Sequence, residues 1–149
     1  MEIMKKKVEF FIEIRANKEK VWNTLWRDET FRQWSSIIDP GTYMVGDLKE
    51  DNEIQFISSE NSYGITSIVE KVVPGEFLLL KHKSDTKESG KEKRDEQWTG
   101  SKESYTLTEK NGVTTLAVVF DVPLEFEEYF NENYPKALRK VKELSEDNI

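Results

Sequence analysis

Cysteine is absent from the 149-residue chain, and histidine occurs once, as His82. The first absence excludes disulfides, zinc thiolate sites and a thiol nucleophile, and it fits a reducing, cytoplasmic setting. The second excludes a histidine-cluster metal site and any relay that needs two imidazoles, so a serine triad could only be built around His82. Long apolar runs are also missing: no stretch approaches the ~20 residues of a membrane-spanning helix. The N-terminal MEIMKKKVEFFIEI is interrupted by Glu9 and Glu13 and no small-residue cleavage site follows, so a mature start is expected. Excess positive charge is lacking too. Lys and Arg number 22 against 29 Asp and Glu, a net charge of −7 that repels phosphate backbones and anionic lipid head groups. Neither nucleic acid nor a membrane is an expected partner. SGKEKR lacks the preceding glycine and the following Ser/Thr of a phosphate loop, GDLKEDNE lacks the order of a calcium loop, and there is no Gly-x-Ser-x-Gly elbow. No metal or cofactor is expected.

What the chain does have is aromatic side chains in one place. VWNTLWRDETFRQW, residues 21–34, holds Trp22, Trp26 and Trp34 of the four tryptophans, together with Phe31. Each carries roughly 150–250 Å² of surface, and three left exposed together would exceed the patch usual on a monomer, so at least two should be covered. Before them, Val8, Phe10, Ile12 and Ile14 alternate with Glu9, Phe11 and Glu13 at the period of a half-buried strand. Asn17 can cap a helix in which Val21, Trp22, Leu25 and Trp26 form one apolar stripe, and Asp28 can cap a second short helix to Trp34.

DPGTYMVGD reads as turn, short strand, turn. EIQFISS, YGITSIVEKVV, EFLLLKH, ESYTLTE and TTLAVVFDV then read as strands, and the KNG before the last is a hairpin turn that tolerates positive φ. The mixed-charge run from Lys81 to Gln97 reads as a solvated loop, because such a block cannot bury enough surface to order itself. After Pro123, Phe126, Phe130, Tyr134, Ala137, Leu138, Val141 and Leu144 share a helical face from about Leu124 to Ser145, with Pro135 predicting a kink or a late start. The length fits one domain, residues 1–149. A sheet of six or seven strands has one apolar face and a single long helix to cover it. The expected α+β fold is therefore a curved antiparallel sheet wrapped round the C-terminal helix, with two short helices after the first strand. Curling of that kind leaves a space between sheet and helix, the usual place for a small molecule.

Chemistry-bearing residues on the strands are few. Leu78, Leu80 and His82 share a face, which two leucines mark as inward; His82 is then a satisfied structural residue or a polar group in the interior. Glu103, Tyr105 and Leu107 share a face likewise, so Glu103 enters the interior or reaches solvent at an edge. An inward carboxylate marks a candidate site.

Residues 21–34, the VEKVVPGEFLLLKH pair, Trp98 with ESYTLTEKNGVTTLAV, and the closing YFNENYPKALRKVKEL resemble the helix-grip superfamily of START-like (SRPBCC) and birch-pollen-allergen-like proteins. Within it the chain is similar to the branch of the C-terminal domain of the activator of the heat-shock chaperone ATPase, over about Lys7 to Leu144. It departs from that branch at Trp26, where a small residue such as Thr is commoner. The resemblance implies that Val21, Trp22 and Leu25 pack in the core and that Trp34 ends the second helix near a cavity mouth, as core or as lining. It implies a carrier or sensor of a small hydrophobic, aromatic or lipid-like molecule. The lining would be drawn from Trp34, Leu80, His82, Trp98, Tyr105, Phe120, Phe130 and Tyr134, with His82 and Glu103 orienting a ligand hydroxyl or carbonyl. A monomer is expected. The rival implication is a co-chaperone acting on a chaperone ATPase through its surface, although such activators usually carry a further N-terminal domain for which 149 residues leave no room. Acid–base catalysis on a bound ligand by Glu103, Tyr105 and His82 is a third reading.

Overall fold

The computed structural model describes residues 4–58, 63–87 and 100–147, with the backbone alone at 63 and 85–87. Strand β1 (Lys5–Ile14) is followed by helices α1 (Lys18–Trp26) and α2 (Asp28–Ser35). Six strands come next: β2 (Thr42–Val45), β3 (Glu53–Ser58), β4 (Tyr63–Val73), β5 (Phe77–Lys87), β6 (Lys102–Lys110) and β7 (Val113–Pro123). A 3-10 turn (Leu124–Phe126) then leads into α3 (Glu127–Glu146). The seven strands form one curled antiparallel sheet in the order β1-β7-β6-β5-β4-β3-β2, with α3 as the long C-terminal helix.

The sheet is a meander except at one edge, where the first strand pairs with the last. Lys5 faces Pro123 and Ile14 faces Thr114 along that edge pair. The period-two pattern of β1 decides which face turns inward: Val8 and Ile14 are buried, while Phe11 points out and is 65% exposed. Strand β7 buries Thr114, Leu116, Val118, Phe120 and Val122 on the same inner face. The β6–β7 turn is the hairpin expected from KNG, with Asn111 and Gly112 both at positive φ (53° and 79°), as a tight two-residue turn requires.

Asn17 caps α1 by accepting a hydrogen bond from the Lys20 amide at 2.8 Å. Asp28 does not cap α2. It is the first residue of the helix, preceded by Arg27 in the cap position, and its carboxylate instead accepts from Arg32 one turn on, at 2.9 Å. The C-terminal end of α1 is completed from outside the helix: the Trp34 indole N–H donates to the Leu25 carbonyl at 3.0 Å, one of the acceptors that a helix end leaves open.

Two further differences from the sequence reading have physical causes. Strand β5 does not end at His82 but continues to Lys87, because β4 supplies partners as far as Tyr63 opposite Lys87. The first part of the expected charged loop is therefore strand, and its remainder, 88–97, lies outside the described residues. Pro135 neither starts nor ends a helix. Helix α3 runs from Glu127 through it to Glu146, and the ring, which has no N–H, forgoes its i→i−4 hydrogen bond. Tyr134, Ala137, Leu138, Val141 and Ser145 form its buried side.

Candidate functional site

The opening helices place an aromatic wall at one end of the interior. Trp26 is core: its ring meets Tyr105 edge-on at 4.8 Å, Phe31 at 6.0 Å, Trp22 at 6.2 Å and Trp34 at 6.3 Å. Trp22 is only half-buried against that cluster, whereas Val21 and Leu25 are fully buried. Trp34 is both buried and a lining residue, since its N–H is taken by Leu25 and its ring borders a cavity.

That cavity has a volume of about 160 Å³. Helix α2 contributes Phe31, Trp34 and Ser35, and the segment after it contributes Ile38, Asp39 and Thr42. Strands β3 and β4 add Phe56, Ile57, Ser58 and Ile65; β5 to β7 add His82, Glu103, Tyr105 and Phe120; α3 closes it with Phe130 and Tyr134. The space lies between sheet and C-terminal helix. Seven of the residues expected at the site are thus brought together: Trp34, His82, Glu103, Tyr105, Phe120, Phe130 and Tyr134. Leu80 is fully buried in the core beside the cavity rather than on its surface, and Trp98 lies outside the described residues.

One wall is a chain of polar groups. A register shift between Thr66 and Ser67 sets Ser67 directly opposite His82, and the Ser67 hydroxyl lies 2.6 Å from His82 Nδ1. His82 is held on its other side by the two residues that lead into β6, donating its amide to the Ser101 carbonyl and accepting from the Gly100 amide. Its Nε2 is 3.4 Å from Glu103 Oε1. The other carboxylate oxygen of Glu103 accepts the Tyr105 hydroxyl, which in turn lies 3.0 Å from the Tyr134 hydroxyl on α3. The chain therefore crosses β4, β5 and β6 and ends on the helix.

Burial pushes both phenols well above the ordinary tyrosine range, and the negative charge of Glu103 adds to the rise in each. They stay protonated as donors. A second polar group sits by Asp39, where the Ser58 hydroxyl lies 2.9 Å from both the Asp39 carboxylate and the Pro40 carbonyl, and Thr42 donates to the Asp39 carbonyl. Among the described lining residues no lysine or arginine occurs, and Asp39 and Glu103 are the two carboxylates. No group of three or more potential metal ligands occurs among the described residues.

Ser67, His82 and Glu103 are the residue types of a hydrolytic triad in the wrong order for one. Ser67 is fully buried behind the imidazole and does not border the cavity, so a bound molecule meets the carboxylate and never the hydroxyl. Ser67 is better described as the group that orients His82. Sequence reasoning missed it, along with the Asp39–Ser58 pair. The signal for Ser67 was present: in YGITSIV it occupies the position between Ile65 and Val69 on one strand face, a hydroxyl where an aliphatic is expected.

A curled sheet gripping a C-terminal helix, with a cavity between them, defines a helix-grip protein. Residues 15–146 match the family described as Activator of Hsp90 ATPase homolog 1-like protein, and the chain belongs to it. No curated protein matches the chain. Solved structures share the fold at low identity. The Aha1 dimer from Colwellia psychrerythraea is 18% identical, with 95% of this chain and 96% of that one covered and a TM-score of 0.69. A protein from Mesorhizobium loti is 16% identical over 93% and 96% of the two chains, with a TM-score of 0.71. A conserved protein of unknown function from Enterococcus faecalis is 16% identical over 98% and 74%, with a TM-score of 0.67. Among the described residues no helix is long and apolar enough to cross a membrane.

Proposed function

We propose that this protein binds a small aromatic molecule between α3 and the sheet, as a carrier or sensor in a reducing, cytoplasmic compartment. The observation that supports this reading is the cavity of about 160 Å³ with aromatic walls and one hydrogen-bonded polar wall. Its size bounds the ligand. A cavity of about 150 Å³ lined by aliphatic and aromatic side chains takes up benzene, whereas drug-sized ligands occupy roughly 300–1,000 Å³. One ring with a small substituent matches this volume. Burial of apolar surface stabilises the complex by about 25 cal/mol per Å², before the cost of losing free motion.

Titration with single-ring compounds, followed by chemical shifts, tests this. Signals of Trp34, Tyr105 and Tyr134 should move, and Tyr105→Trp should weaken binding by crowding the space while the fold survives. If no compound moves them, side chains fill the space in solution and the reading fails.

The family description favours a second reading, a co-chaperone that stimulates a chaperone ATPase through its surface. Stimulation that persists in Tyr105→Trp would separate this activity from the cavity. Catalysis by Glu103 or His82 would need turnover that their substitution abolishes.

A further inference from the structure

We infer that the cavity selects its ligand by a hydrogen-bond donor, and that the class it takes is single-ring aromatic compounds bearing a hydroxyl, in preference to carboxylates and donor-free rings. The inference rests on the ligand-binding reading above and concerns the direction of the protons in the polar wall.

The protons on Tyr105, Tyr134 and His82 Nε2 can be assigned. Tyr105 has one hydroxyl proton and gives it to Glu103, so at its 3.0 Å contact with Tyr134 it is the acceptor and Tyr134 the donor. His82 Nε2 faces a carboxylate oxygen at 3.4 Å, and two lone pairs facing each other there would repel, so this nitrogen carries a proton. That holds whether the ring bears one proton or two. With one, Nδ1 accepts from the Ser67 hydroxyl 2.6 Å away. Tyr134, Tyr105 and His82 thus all direct their protons toward Glu103, and none of these three is left to donate to a ligand.

What the wall offers instead is acceptor capacity. A carboxylate accepts at about four positions, and the protein contacts to Glu103 occupy two. The Tyr134 oxygen donates its proton away and keeps its lone pairs. The Glu103 side chain is 17% exposed and lines the cavity, so its remaining positions can meet a ligand. A ligand carbonyl would find acceptors facing it, and a ligand carboxylate would add like charge beside Glu103 in a space walled by rings. A neutral hydroxyl supplies the missing proton without the desolvation cost of burying an ammonium.

The test uses the full chain and three probes of nearly one shape: p-cresol, p-xylene and p-toluate. Dissociation constants come from aromatic chemical shifts of Trp34, Tyr105 and Tyr134. A hydrogen bond to a charged acceptor should make p-cresol bind about tenfold or more tightly than p-xylene, with p-toluate weakest. Glu103→Gln, confirmed as folded by its thermal transition, should narrow the p-cresol preference to about threefold or less and strengthen p-toluate. If p-xylene or p-toluate binds the unaltered chain as tightly as p-cresol, the cavity binds rings but the donor rule is overturned. If none of the three moves any of these signals, ligand binding itself fails and the donor rule fails with it.

Discussion

The two halves of α3 cover the same sheet in different ways. The C-terminal half presents Ala137, Leu138 and Val141, all buried, beside the end of β1 and the start of α1. Polar ties surround it: Lys142 donates to the Glu13 carbonyl at 3.0 Å, the Arg15 amide donates to Glu146 at 2.7 Å, and Lys20 donates to the Asp147 carbonyl at 2.7 Å. The N-terminal half presents rings. Tyr134 stacks with Phe10 at 5.0 Å and lies 5.1 Å from Phe120, while Phe130 meets Phe120 edge-on at 5.5 Å. Branched and small aliphatic side chains interdigitate and close the space beneath them. Rigid rings meeting at edges, and anchored by the hydroxyl of Tyr134, cannot collapse into the gap they enclose. Where the helix carries rings with a polar tip, the cavity stays open.

The largest expected effect contrasts the halves directly. Leu138→Ala in the packed half should cost roughly 3–5 kcal/mol, because a buried leucine is lost and its neighbours relax only in part. Phe130→Ala, half-buried at the edge of existing space, should cost less than half of that and should enlarge the cavity. Denaturant unfolding of both variants measures the difference. Equal losses would mean that the cavity half is packed as tightly as the other.

The next effect belongs to the polar wall. Tyr105→Phe removes the proton that Glu103 accepts and the oxygen that Tyr134 bonds, leaving a part-buried carboxylate and a buried hydroxyl short, so a loss of about 1–3 kcal/mol is expected. The same phenols give a pH dependence. Their folded values lie above the ordinary tyrosine value of 10.0, chiefly through burial. Above pH 10 the unfolded chain releases protons that the folded chain keeps, so stability is complete below that range and falls as pH rises through the folded values. In Tyr105→Phe the alkaline fall should be shallower. Stability flat to the alkaline limit would show that the two phenols titrate as if exposed.

Much of this was legible in the sequence. Alternation in residues 8–14, the Asn-Gly turn and the helical face from Phe126 onward carry strong periodic signals, and they set the strand count and the covering helix. Inward placement of His82 followed from Leu78 and Leu80 on its strand face, whereas the face that Glu103 shares with Tyr105 and Leu107 left an inward carboxylate and an edge position both open. The reach of β5 to Lys87 was not legible, because a mixed-charge segment is held there by pairing with β4 and not by its own composition. Ser67 was hidden for a related reason. Its contact with His82 depends on a one-residue register shift between two strands, and register is a property of the pair.

The smallest expected effect lies at the boundary of the two regions and compares two buried tryptophans. Trp34 gives its indole N–H to the Leu25 carbonyl at the end of α1, whereas the buried Trp26 indole nitrogen has no hydrogen-bond partner among the described residues. Replacing either by Phe removes a similar volume from the same aromatic cluster, so the packing losses largely cancel in the comparison. Trp34→Phe also strips the Leu25 carbonyl of its donor. Trp26→Phe instead removes a donor that was already unsatisfied, which offsets part of the packing loss. Trp34→Phe should therefore be less stable than Trp26→Phe by about 1–2 kcal/mol, measured by thermal or denaturant unfolding of the two variants. Equal stabilities, or the reverse order, would mean that the Trp26 N–H holds a partner in solution.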